Sequence, residues 1–122
     1  FSGFIFPCLG VHPVQEGSPE QQRSASLRDL DAALPVIEKY KDQLVAIGEV
    51  GLDFTPRFVS SESDKENQKQ VLILQAQLAK ALDLPLNVHS RSAGRPTIHL
   101  LKEQGEQITL GCMLVRNKYL LV

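Results

Sequence analysis

Apolar residues in this chain fall into short continuous runs that alternate with helically spaced stripes. Residues 4–11 (Phe4-Ile5-Phe6-Pro7-Cys8-Leu9-Gly10-Val11) form one such run. They predict a buried strand despite Pro7, which removes a ladder hydrogen bond. Residues 12–24 are polar, contain Pro13, Gly17 and Pro19, and predict a loop. Ser26 followed by Asp29 has the spacing of a helix-starting capping box. Leu27, Leu30, Leu34 and Ile37 then recur at helical intervals, and Pro35 inside that stripe predicts a kink or two short helices. Leu44-Val45-Ala46-Ile47 predicts a second strand and residues 53–63 a loop. Ser63 with Glu66 repeats the capping-box spacing, and Val71, Leu74, Leu78 and Ala81 mark one face of a helix over 64–82. Leu86-Asn87-Val88 predicts a third strand ending at His89. A helix then runs from near Pro96 to Gly105, where a left-handed residue is easily accommodated. Residues 108–115 predict a fourth strand, and 116–122 carry no assignment.

Strands alternating with helices predict βαβ units and a parallel sheet, an α/β fold. The continuity of the apolar runs predicts strands buried on both faces. In a parallel sheet the C-terminal strand ends share one edge, where ligands and catalysis sit in α/β folds. His12 follows the first strand, Glu49 follows the second after Gly48, and His89 ends the third. Successive members are about 40 residues apart, one βα repeat, so the three are expected to converge. Two imidazoles and a carboxylate are ligand types that hold Zn²⁺ or Mn²⁺.

Each residue also fits a plainer role. Glu49 suits a helix cap or a surface carboxylate, although Gly48 and Gly51 permit the close backbone approach typical of a site. His89 suits a core histidine and His12 a strand terminator. Asp53 either orients a histidine or a water, or caps the following turn. Arg91 and Arg95 suit either phosphate binding or surface ion pairing, and His99 lies within the last helix, away from any strand end.

Composition narrows the partners. The 122 residues are enough for one domain, and a formal net charge of −1 excludes a polycation. Any nucleic-acid partner must therefore meet a local site. No apolar run reaches the roughly 18 residues of a membrane span. Cys8 and Cys112 form no C-x-x-C motif and read as small buried hydrophobes in a reducing, intracellular compartment. There is no G-x-G-x-x-G, Walker A, H-E-x-x-H or G-x-S-x-G motif. The chain starts at Phe1, already inside a strand-like run, which predicts an internal piece of a longer fold.

Three segments carry a family resemblance. They are Leu9-Gly10-Val11-His12-Pro13, Ala46-Ile47-Gly48-Glu49-Val50-Gly51-Leu52-Asp53-Phe54 and Leu84-Pro85-Leu86-Asn87-Val88-His89-Ser90-Arg91-Ser92-Ala93, and Gln68 and residues 75–82 fit the intervening helix. In these the chain resembles the TatD family of metal-dependent deoxyribonucleases. The resemblance implies a TIM-type barrel, here a partial one of three to four parallel strands, and a divalent-metal site (Mg, Mn or Zn) that hydrolyses phosphodiester bonds in DNA. It implies that Glu49 bridges metals as the catalytic carboxylate and that His89 is a metal ligand. His12, Arg91 and Asp53 are expected to contact substrate.

The chain also departs from the family pattern. It lacks the early His-x-His pair, and residues 108–115 contain no histidine where another ligand is expected. Glu49 and His89 alone remain of the usual ligand set, and a complete barrel takes about 250 residues. The expectation is one incomplete domain over 1–122, family-like over 3–105 and divergent over 106–122. Such a piece is expected to be inactive alone, poorly soluble or in need of a partner. The alternatives are a non-catalytic truncated isoform and an amidohydrolase-type esterase. DNA is the expected partner of the complete protein, no membrane is involved, and no other protein partner can be inferred.

Overall fold

The computed structural model describes residues 6–105, 108–109 and 119–121. Its strands are β1 (Cys8–Leu9), β2 (Val14–Gln15), β3 (Arg23–Ser24), β4 (Ala46–Asp53), β5 (Leu86–Arg91), β6 (Ile108–Thr109) and β7 (Tyr119–Leu121). The helices are α1 (Leu27–Tyr40), α2 (Glu62–Ala81) and α3 (Gly94–Glu103), and a 3₁₀ turn (Lys41–Gln43) follows α1. One sheet runs β1-β4-β5-β7-β6, with every pairing parallel. Parallel strands alternating with α1, α2 and α3 make a partial TIM-type (β/α) barrel.

The two faces of the sheet differ, contrary to the expectation of strands apolar throughout. Successive strand residues point to opposite faces. On β4 and β5 one set, Val50, Leu52, Leu86 and Val88, is fully buried. It packs with Leu72, Ala76 and Ala79 of α2 and Leu100 and Leu101 of α3 in the main core. The other set, Glu49, Gly51 and Asp53 on β4 and Asn87, His89 and Arg91 on β5, places all the polar chemistry on the opposite face.

Both middle strands are longer than the apolar runs suggested. Glu49 lies inside β4 and His89 inside β5, because the pairing continues through Gly51↔His89, Leu52↔Ser90 and Asp53↔Arg91. A glycine makes this possible at Gly51. Its φ is +148°, and an added Cβ would collide with the His89 carbonyl. At Gly48 an added Cβ would sit 2.5 Å from the Asn87 Cβ.

Helix details differ from the sequence pattern for physical reasons. α1 starts at the expected Ser26–Asp29 capping box but continues unbroken through Pro35. Asp31, whose carbonyl loses its partner there, is exposed, so water can satisfy it. Of the predicted stripe, Leu30 and Ile37 are buried while Leu27 and Leu34 stay partly exposed. α2 starts earlier than expected: Ser61 with Asp64, not Ser63 with Glu66, forms the box, which leaves Ser63 inside the helix. Its buried face is Gln68, Val71, Leu72, Gln75, Ala76 and Ala79, rotated away from Leu74. α3 ends as expected, with Gly105 at φ +77°.

The expected 12–24 loop contains a short antiparallel hairpin, β2 with β3. The predicted first strand is described only as Cys8–Leu9, and residues 1–5 lie outside the described residues. The predicted 108–115 strand is seen as Ile108–Thr109, and the remainder, with Cys112, lies outside them too. The unassigned tail supplies β7, which adds to β5 through Asn87↔Leu120 and Val88↔Leu121. Among the described residues no helix is long and apolar enough to cross a membrane.

Candidate metal centre

His12, Glu49 and His89 come together at one place. A ligand atom from each lies within 4.8 Å of the others. His89 Nδ1 is 3.2 Å and His12 Nε2 4.0 Å from the same atom, Glu49 Oε1. The two imidazole rings are 4.5 Å apart at their centroids and tilted by 57°.

The remaining nitrogen of each ring is held from behind. The Val14 N–H donates to His12 Nδ1 at 3.0 Å, and the Val14 carbonyl oxygen lies 3.1 Å from the same nitrogen. Accepting from Val14 uses the lone pair on Nδ1 and leaves the neutral ring's proton on Nε2, the nitrogen nearer Glu49, whereas in the other tautomer Nδ1 donates to the Val14 carbonyl and the lone pair is on Nε2. His89 Nε2 lies 3.1 Å from Asp53 Oδ2, so donation from Nε2 leaves the lone pair on Nδ1. Both rings thus have a tautomer with a free lone pair facing the same carboxylate, the arrangement by which outer partners orient metal-ligating histidines. Two imidazoles and one carboxylate, with Glu49 42% exposed and free to adjust, fit a divalent ion with an open coordination position.

Asp53 is fully buried, and both its oxygens are occupied within the chain. Oδ1 accepts from the Thr55 nitrogen and hydroxyl at 3.1 and 2.6 Å. Oδ2 accepts from His89 and from Arg91 Nε and Nη2, each arginine contact at 2.8 Å. It therefore both orients the histidine and caps the turn, the two roles open from sequence. Burial pushes its carboxyl up, but the hydrogen bonds from Arg91, Thr55 and His89 outweigh this and hold it below the ordinary value. Arg91 is about half exposed, with its guanidinium over the Phe58 ring at 5.4 Å. Arg95 lies apart, in a groove with Lys69 and His99, and His99 pairs with Glu103 at 3.2 Å.

Two buried glutamines on α2 fix the loops that carry this cluster. Gln75 Oε1 accepts from the Val11 nitrogen at 2.6 Å, and its Nε2 donates to the Val11 carbonyl at 3.1 Å, directly before His12. Gln68 treats Asp53 the same way, at 2.8 and 2.9 Å, and also donates to Ser24 Oγ. The signal for them in the sequence was their spacing. They are seven residues apart, which places both on one helix face with Val71 and Leu72.

The chain is thus a parallel α/β barrel fragment whose polar face carries a His–Glu–His cluster that could hold a metal ion. Residues 1–114 match the family model for TatD related DNase, and the chain belongs to that family. It is 67% identical over 110 residues to the deoxyribonuclease TATDN3 of Homo sapiens, covering 90% of this chain and 40% of that protein. It is 34% identical over 110 residues to the metal-dependent hydrolase YabD of Bacillus subtilis, covering 90% of this chain and 38% of that one. The crystal structure of the TatD homologue YjjV from Escherichia coli superposes with a TM-score of 0.61 at 27% identity, over 90% of this chain and 39% of that chain. The chain thus spans about two fifths of the length of the relatives it matches.

Proposed function

We propose that this chain contributes the divalent-metal site of a hydrolase that cleaves phosphodiester bonds in DNA, with His12, Glu49 and His89 as the residues that hold the ion. The observation that carries this reading is the shared focus of the three donors on Glu49 Oε1, with each histidine tethered through its other nitrogen. When bound, a divalent ion supplies Lewis-acid neutralisation of charge at the phosphate. Glu49, the most exposed of the three, is placed to take a proton from an attacking water. Asp53 keeps His89 in the ligating tautomer and holds the near edge of Arg91. The guanidinium edge turned away from Asp53 offers donors to a substrate phosphate. DNA is the substrate named for the human relative, and it suits a site where an arginine stands next to a metal centre.

Manganese titration by calorimetry, paired with cleavage of a labelled DNA strand, tests this. Metal binding is expected in the chain and is expected to weaken at least about tenfold in Glu49→Gln and in His89→Ala. Cleavage, where observed, should vanish in Glu49→Gln. Unchanged manganese affinity in both variants would show that these residues do not form the metal site.

A further inference from the structure

A cleft of about 550 Å³ lies between the β2–β3 hairpin, the 55–60 loop and the starts of α1 and α2. Arg23, Arg28 and Arg57 line it, and its one lining carboxylate is Asp64. The acids near it are already engaged. Asp64 Oδ2 accepts from the Ser60 and Ser61 nitrogens and the Ser60 hydroxyl. Asp29 binds Arg23 through two 2.8 Å hydrogen bonds and closes the Ser26 box. The helix starts are therefore satisfied by their own capping aspartates. Arg28 and Arg57 form no ion pair among the described residues, and they are the uncompensated charges of the cleft.

The cleft is linked to the metal centre through Phe58 and Arg91, which binds Asp53 behind His89. Phe58 lines it, and the same ring has Arg57 at 5.8 Å and Arg91 at 5.4 Å from its centroid. Ser24, also in the lining, accepts from Gln68, which holds the Asp53 backbone. Arg57 is itself steadied by donating to the Pro19 carbonyl at 2.5 Å. The chain as a whole is weakly anionic, so these arginines are a local feature and not part of a general positive field.

We propose that this cleft is a second phosphate subsite, where Arg28 and Arg57 bind a backbone phosphate of the same DNA strand whose scissile phosphate lies at His12, Glu49 and His89. It deepens the DNA-hydrolase reading and rests on it. The arginines add affinity and fix the register of the strand without touching the reacting bond.

The test is fluorescence anisotropy of a fluorescein-labelled single-stranded oligonucleotide, titrated with the chain in chelator over a range of salt. Arg28→Ala combined with Arg57→Ala is expected to weaken binding about tenfold and to lower the log–log salt slope by about 0.7 for each phosphate no longer neutralised. Arg28→Lys with Arg57→Lys retains the charge and should retain most of the salt slope, which separates removal of the charge from damage to the fold. Parental affinity and slope in the double alanine variant would overturn the subsite while leaving the metal centre untouched. Failure of the parent chain to bind the strand would overturn it as well. The DNA-hydrolase reading fails separately, through the manganese titration.

Discussion

Gln75 shows how a residue with no chemistry of its own sets the geometry of a site. Its amide pairs with both backbone groups of Val11 in a buried setting, and His12 is the next residue. In Gln75→Leu a buried N–H and a buried C=O lose their partners, at a cost of about 1–3 kcal/mol for each. The urea midpoint should fall accordingly. Manganese affinity should drop with it, since the loop that presents His12 loses its anchor. A variant as stable as the parent would mean that water or rearrangement satisfies Val11. Glutamine is usually an exposed residue type, so only the seven-residue spacing of Gln68 and Gln75 hints at their burial. The predicted α2 stripe was therefore rotated toward Leu74, which the fold leaves 41% exposed.

At the scale of elements, α1 illustrates two opposing local effects. Its start is strengthened by Asp29, which closes the capping box and accepts two hydrogen bonds from Arg23. The Arg23 guanidinium, against the effect of burial and with help from Ser26, holds the Asp29 carboxyl at about 2. An ordinary aspartate titrates near 3.9. The folded value is the lower one, so the pair's contribution is complete above about pH 4 and is lost as pH falls toward 2. Denaturation curves of the parent and Asp29→Asn should accordingly differ at neutral pH and converge across that window. A difference that persists at the acid end would place the stabilisation elsewhere. Pro35 acts the other way. It occupies an exposed interior position of α1 without an N–H to give. Pro35→Ala restores that bond and should stabilise the fold by about 1–3 kcal/mol, read from the same curves.

For the whole molecule, the proposed metal centre would couple function to stability. Its donors come from the loop after β1, from β4 and from β5, so an ion joins three segments that are distant in sequence. A ligand that binds the folded state alone stabilises it by about 2.7 kcal/mol at a hundredfold excess over Kd. Manganese should thus raise the melting temperature by several degrees, and chelator should reverse the rise. Glu49→Ala should melt at one temperature with or without the ion. A metal-induced rise of equal size in that variant would show that the ion binds elsewhere.

The alternation of elements, the parallel sheet and the convergence of His12, Glu49 and His89 follow from local sequence. Strand runs, caps and repeat length are short-range properties, and parallel order brings the strand ends to one side whatever the packing detail. Other features required the chain to be folded. Asp53 and Arg91 could be read alone as substrate contacts, and only the β4–β5 register sets them against one another, with Asp53 Oδ2 shared by Arg91 and His89. The arginine cleft draws on a hairpin, a loop and two helix starts, whose juxtaposition no periodicity encodes. Sequence by itself determined the order of the elements and the convergence of His12, Glu49 and His89, although Glu49 and His89 stand within β4 and β5 and not beyond their ends. Tertiary structure alone decided which of them are paired and which remain open to a ligand, because pairing depends on distances between segments that only packing brings together.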